Sequence, residues 1–174
     1  MSLTTPTRQG LPSVAAVETL GRPFSRLVPP EWKDENGHVN VCHHFAFHMD
    51  VNIACFRQFG VDEAYVRDRG LSTFSIEQNI RYYDEVLVGH QVSGYVRILD
   101  VSPKLVHAIS VVVDETTGRI ANTVEFVEGH VDLTTRRTTP WPADLLKALE
   151  TRLAEHRALE WSLPLSAGVG LRGN

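Results

Sequence analysis

The spacing of hydrophobic positions changes twice along this chain, and the changes divide it into regions. Phe45, Met49, Ile53 and Phe56 recur every three or four positions, which predicts a helix over 41–59 with these four side chains on its buried face, closed by Gly60. A shorter helical stretch is expected over 62–69. From there the period falls to two. The segments 73–83, 91–101, 104–115 and 119–133 are rich in Val, Ile, Tyr, Phe and Thr and predict four long strands. Their links, Val88-Gly89, Ser102-Pro103 and Thr116-Thr117-Gly118, carry turn chemistry and predict that successive strands pair as antiparallel hairpins. Helical spacing returns with Leu145, Leu146, Leu149 and Leu153 behind Pro140-Trp141-Pro142, predicting a last helix over 143–158. Ahead of all these, 23–28 reads as a short first strand ended by Pro29-Pro30, which cannot continue a ladder.

This order places one domain over 22–160. Residues 1–21, rich in Thr, Pro, Gly and Ser, read as a flexible N-terminal arm, and 161–174 as an irregular tail. One short strand, one long helix and four antiparallel strands make an α+β chain whose single sheet wraps around the central helix, with an extra helix at the C-terminal end.

Composition narrows the chemistry. The chain has 174 residues, 43% of them hydrophobic and 22% charged, with a formal net charge of -4. It lacks the basic face that phosphate neutralisation requires, so a nucleic-acid partner is not expected. Cys42 and Cys55 lie on one predicted helix, roughly 20 Å apart at about 1.5 Å rise per residue, beyond disulfide reach. Two reduced thiols, a polar start and no apolar run of membrane-spanning length read as a cytoplasmic chain with no membrane partner.

The candidate chemistry sits just before the long helix, in Asp34-Glu35-Asn36-Gly37-His38-Val39-Asn40. Helix N-termini carry unpaired N–H groups and a positive dipole end, which stabilise an oxyanion, and an acid nearby can act as nucleophile or general base. The spacing alone leaves Asp34 open between catalysis and capping of a turn or helix. Gly37 suits a positive φ or close ligand approach, Asn40 a helix cap or substrate contact, and His38 a supporting role beside the acid. His44 and His48 lie one helical turn apart, yet with no third ligand and with Phe45 and Phe47 around them they read as packing residues rather than a metal site.

The motif resembles the Asp-x-x-Gly-(His or Ile)-Val signature of hotdog-fold thioesterases of the 4-hydroxybenzoyl-CoA thioesterase type, and the likeness extends over about residues 24–142. The loop with Asn40, Cys42 and His43 is also similar to the thioesterase modules found with carnitine dehydrogenases, which act on betainyl-CoA. The resemblance implies an acyl-CoA thioesterase needing no cofactor, Asp34 as catalytic carboxylate, backbone donors near Asn40 and Val41 as the oxyanion site, and His38 in support. It further implies a homodimer or homotetramer with sites between subunits, where Gly37, His44, Glu77 and Asn79 would contact substrate. Lys104, Arg119, Arg136 and Arg137 are candidates for the CoA phosphates. The chain departs from the family pattern at Val41 and His44. Two other classes stand beside this reading: a hotdog acyl-thioester hydratase or dehydratase, and a non-catalytic acyl-CoA-binding protein.

Overall fold

The computed structural model describes residues 10–21 and 24–171; the first part of the expected arm, the start of the first strand and the last three residues of the tail lie outside them. The elements run α1 (Val14–Glu18), β1 (Phe24–Leu27), α2 (Val41–Gln58), α3 (Glu63–Arg69), β2 (Leu71–Tyr82), β3 (Gln91–Val101), β4 (Leu105–Asp114), β5 (Arg119–Asp132), β6 (Arg137–Thr138) and α4 (Ala143–Arg157). All pairings are antiparallel, and the strand order is β1-β3-β4-β5-β2, with β6 beside β5. This is the hotdog arrangement that the resemblance implied, a curled sheet with α2 along its inner face.

One expected pairing is wrong. The strands β2 and β3 are not a hairpin: β2 pairs with β5 along its whole length, while β3 lies between β1 and β4. The segment 83–90 therefore carries the chain from one side of the sheet to the other. Its Val86 carbonyl accepts from Val39 N–H (2.8 Å) and its Gly89 N–H donates to Val28 O (2.9 Å), so turn-forming residues here serve a crossing rather than a reversal.

The inner core gathers Val51, Phe47 and Cys55 of α2 against Val92, Val96, Ala108, Val112, Ala121, Val124 and Phe126 of the sheet. Gly94 lets the helix approach: a Cβ placed there would lie 1.9 Å from Val51 Cγ2. The face of α2 that packs is also not the expected one. Its buried residues are His44, Phe47, His48, Val51, Asn52 and Cys55, whereas Phe45 and Ile53 of the predicted stripe are exposed, Ile53 at 50%. Three polar residues can take the inner face because the sheet offers them partners or space, as described below.

On the outer face, Tyr95, Ile109, Val111, Val113 and Ile120 form a second cluster with Val17 of α1 and Leu163 of the tail. The described part of the N-terminal segment is thus packed: Ser13 caps α1 by accepting from Ala16 N–H, and Val17 is fully buried. The third cluster joins the C-terminal end of α2 to α4 through Leu145, Leu149, Leu153 and Trp141.

Candidate functional site

The loop before α2 is a small closed structure. Lys33 bridges Val39 in antiparallel fashion, Asp34 N–H donates to His38 O (2.9 Å), and Gly37 N–H returns to Asp34 O (3.2 Å). Gly37 adopts φ +93, a left-handed conformation that any Cβ disfavours, which explains a glycine there in backbone terms. Asn40 N–H donates to Trp32 O (2.8 Å), and His43 stacks flat on Trp32 with ring centroids 5.2 Å apart. Loop and helix start are therefore one rigid piece.

Within it, the Asp34 carboxylate accepts from Asn36 N–H at 2.8 Å and from Asn36 Nδ2 at 3.4 Å, and its Oδ2 lies 3.4 Å from His38 Nδ1. Partial burial pushes the acid's pKa up, but the Asn36 donors and the pull of His38 outweigh it and hold the carboxyl below its usual range. Asp34 is an ionised, oriented carboxylate at neutral pH. His38 Nδ1 also lies 3.3 Å from Val39 O.

Asn40 is the N-cap of α2, its Oδ1 accepting from Cys42 N–H at 3.0 Å, and its carbonyl accepts from His43 N–H and His44 N–H. The Asn40 amide is spent on Trp32. Of the amides at this helix start, that of Val41 has no acceptor among the described residues, and its side chain is exposed. An 18-residue helix thus points one uncommitted N–H, with its dipole, out of the same rigid piece that carries Asp34.

One turn further on, a buried chain of hydrogen bonds sets the state of His44. Asn122 Nδ2 donates to His44 Nδ1 (2.8 Å), His48 Nε2 donates to Asn122 Oδ1 (2.6 Å), and Ser110 Oγ donates to His48 Nδ1 (2.6 Å). Burial lowers the His44 pKa to about 4 and that of His48 to about 3, so both rings are neutral. Each link then fixes the next, and His44 is left with its proton on Nε2. The His44 ring also meets Tyr82 edge-on at 5.6 Å. Sequence reading missed Ser110 and Asn122; the available signal was a hydroxyl and an amide set inside runs of Val, Ile and Ala.

Within one chain, the register of β2 turns the other expected contacts, Glu77 and Asn79, away from α2. Glu77, Asn79 and Arg81 pair with Val127, Glu125 and Thr123, on the sheet face turned away from α2. Facing α2 instead are Gln78, which reaches Met49 Sδ (3.7 Å), and Tyr82. The period of two expected over 73–83 is interrupted at Ile76, the extra residue of a β-bulge between Ser75 and Glu77, which stands 51% exposed. Among the candidate phosphate contacts, Arg119 pairs with Asp84 (3.2 Å) and Arg136 lies over the Phe74 ring (4.9 Å), while Lys104 and Arg137 are exposed.

A cavity of about 590 Å³ opens between α2, α3 and the first half of β2, with Met49, Asn52, Phe56, Thr73, Ser75 and Glu128 among its walls. Ser75 Oγ donates to Glu128 Oε1 at 2.5 Å. Burial raises the Glu128 pKa, against the lowering effect of the Ser75 and Thr73 hydroxyls.

Comparison with known proteins bears on this geometry. The profile of the thioesterase-like superfamily matches residues 28–149. The chain is 28% identical over 129 residues to the L-carnitine dehydrogenase/betainyl-CoA thioesterase of Rhizobium meliloti, covering 74% of this chain and 26% of that protein. It is 27% identical over 147 residues to the betainyl-CoA thioesterase of Pseudomonas aeruginosa, covering 84% of this chain and 90% of that one. The chain thus spans about a quarter of the two-part relatives (26% and 28%). Among solved structures, a Staphylococcus aureus protein in complex with CoA superposes with a TM-score of 0.70 at 19% identity, covering 87% of this chain and 92% of that chain. The 1,4-dihydroxy-2-naphthoyl-CoA thioesterase of Synechocystis gives 0.64 at 11%, covering 76% and 94%. At these identities the two structures speak to the fold, and they agree on it.

Proposed function

Since the chain belongs to the thioesterase-like superfamily, we propose that it is a thioester hydrolase, that its substrate is an acyl-CoA and that Asp34 and the Val41 amide carry the reaction. The observation that supports this most directly is the ionised Asp34 carboxylate, fixed by Asn36 in the same rigid piece that presents the Val41 N–H. In this reading the thioester carbonyl oxygen accepts from Val41 N–H, which polarises the carbonyl and stabilises the oxyanion, a contribution of roughly 3 kcal/mol for a well-placed donor. Asp34 either takes a proton from the attacking water or adds to the carbonyl carbon itself. Both routes break the C–S bond, consume one water and release a carboxylic acid and CoA thiol. His38 steadies the carboxylate, and Asn40 and Gly37 shape the helix start and the turn.

We further infer that the active form is a homodimer joined along β2, with His44 and its Nε2–H facing the bound acyl-CoA. Expected for Asp34→Asn is a loss of turnover of about 100-fold or more, read as thiol release with a chromogenic disulfide reagent, with an unchanged circular dichroism spectrum. A folded Asp34→Asn protein that retains wild-type turnover would remove Asp34 from the mechanism. Label on Asp34 after a single turnover in heavy-oxygen water would identify the covalent route, since water attacking the Asp34 side of the mixed anhydride leaves its oxygen there.

A further inference from the structure

The inner face of the sheet holds a polar row that packing alone does not account for. Ser110 on β4, Asn122 on β5 and His48 on α2 are fully buried, and their side chains are spent on one another and on His44 Nδ1. Around them the core is largely Val, Ala and Phe, and apolar side chains of similar shape would fill the space with no hydrogen bond to satisfy. The row ends on a single atom. His44 is only 8% exposed, and its Nε2 has no partner among the described residues. A helical side chain leans back over the turn before its own Cα, and positions three apart are neighbours. The His44 ring therefore overhangs the turn that starts at Val41, whose amide also lacks an acceptor. Trp32 and Val39 border a narrow gap on the ring, so His44 stands against the loop that carries Asp34.

We propose that His44 is a catalytic residue, a second hydrogen-bond donor to the oxyanion beside the Val41 amide, and that Asn122, His48 and Ser110 are positioning residues that hold its proton on Nε2. The proposal rests on the thioester-hydrolase reading above. The other uses of a histidine are closed to this one. Its Nδ1 lone pair is occupied, and burial holds its pKa at about 4, so at neutral pH it has no imidazolium proton to give and little basicity to take one from water. Around the ring stand His38 of the loop, His43 and His48 of α2 and Tyr82 of β2, and no carboxylate among the described residues pairs with it. What remains is a fixed neutral N–H, which stabilises developing negative charge without having to reorganise. The direction of the row decides whether that N–H exists. Run the other way, it would leave the Ser110 hydroxyl proton only Val124 O at 3.4 Å, and would turn a bare Nε2 lone pair toward the substrate oxygen.

Nitrogen NMR of the imidazole rings, with the His44 signals assigned through His44→Gln, reads the lock directly. From about pH 8 to about 5.5 the His44 ring is expected to stay in the Nε2–H form; an Nδ1–H form, or titration near the ordinary 6.5, overturns the proposal. Turnover reads the role. His44→Leu, whose side chain suits burial, is expected to lose about 100-fold in kcat with KM little changed, the cost of one oxyanion donor. His44→Gln, whose amide presents an N–H at similar reach, is expected to stay within about tenfold of wild type. A wild-type rate in folded His44→Leu, or equal losses in the two variants, overturns the role. Asn122→Ala frees the ring, so the Nδ1–H form should enter its spectrum as kcat falls with KM held; an unchanged spectrum or unchanged turnover removes the row from the mechanism. Wild-type turnover in His44→Leu beside an inert Asp34→Asn protein sinks the second donor alone. Absence of thiol release from every acyl-CoA tried sinks the hydrolase reading, and the role of His44 with it.

Discussion

Neutral, buried imidazoles make this protein sensitive to acid. His44 and His156 have pKa values lowered to about 4 and His48 to about 3, burial being the leading cause in each. All three lie below the ordinary value of 6.5, so above that pH neither the folded nor the unfolded chain protonates them. Between about pH 6.5 and 4 the unfolded chain takes up protons that the folded chain refuses, and stability falls as pH falls. Each unit of separation is worth about 1.4 kcal/mol, so the loss across this window is on the order of several kcal/mol. The contacts involved are specific: His156 Nδ1 accepts from Ile98 N–H (2.8 Å) at a bulge in β3, and a second proton on His48 would reverse its bond with Ser110, turning that hydroxyl toward Val124 O and placing a charge in the core. Thermal melts from pH 7.5 to 4.5 should show Tm dropping steadily below pH 6.5, and a flat profile would contradict these neutral assignments. Nothing in residue type announced this. Histidines in a helix beside phenylalanines read as packing, and they do pack, but only because strand residues more than sixty positions away supply their hydrogen bonds.

At the scale of elements, the contact between α2 and the sheet depends on a missing side chain. Gly94 sits where a Cβ would approach Val51 Cγ2 to 1.9 Å, Cγ1 to 2.8 Å and Cβ to 2.9 Å. Gly94→Ala should therefore destabilise by about 1 to 3 kcal/mol, the range for overpacking a close-packed core. Chemical denaturation measures this, and Val51→Ala in the same chain should recover part of the loss because two of the three close atoms are its methyl groups. A stability equal to wild type would mean that helix and sheet do not meet this closely. The same contact shows what was legible beforehand. Helix and strand positions followed from period and turn residues, and the acid loop from its motif. The inward face of α2 did not follow, since apolar spacing selected Phe45 and Ile53, which point outward, over His44, His48 and Asn52. Hydrophobic period reports which face avoids water, and it cannot distinguish a core from a surface that a second chain covers. Likewise, turn chemistry at Val88-Gly89 marked a bend without saying that β2 would reach past two strands to pair with β5.

For the molecule as a whole, the sheet has two unequal edges. At one end lies β1 with 4 residues, at the other β2 with 12. A long unpaired edge invites another strand, and Phe45, Ile53 and the bulged Ile76 expose apolar surface near it. The outer face, by contrast, is already occupied by α1 and the tail, which favours a dimer along β2 over stacking of sheets into a tetramer. Light scattering should give twice the chain mass, and Ile53→Asp with Ile76→Lys should yield folded monomers without turnover. A wild-type monomer at micromolar concentration would contradict a shared site. The covered outer face has one more consequence. Gly10 lies near Pro164, and Gly170 near His107 on the outer side of β4, so both ends of the described chain sit on the surface opposite α2. A partner attached at Gly10 or Gly170 would stand behind the sheet, with the Asp34 loop uncovered in front.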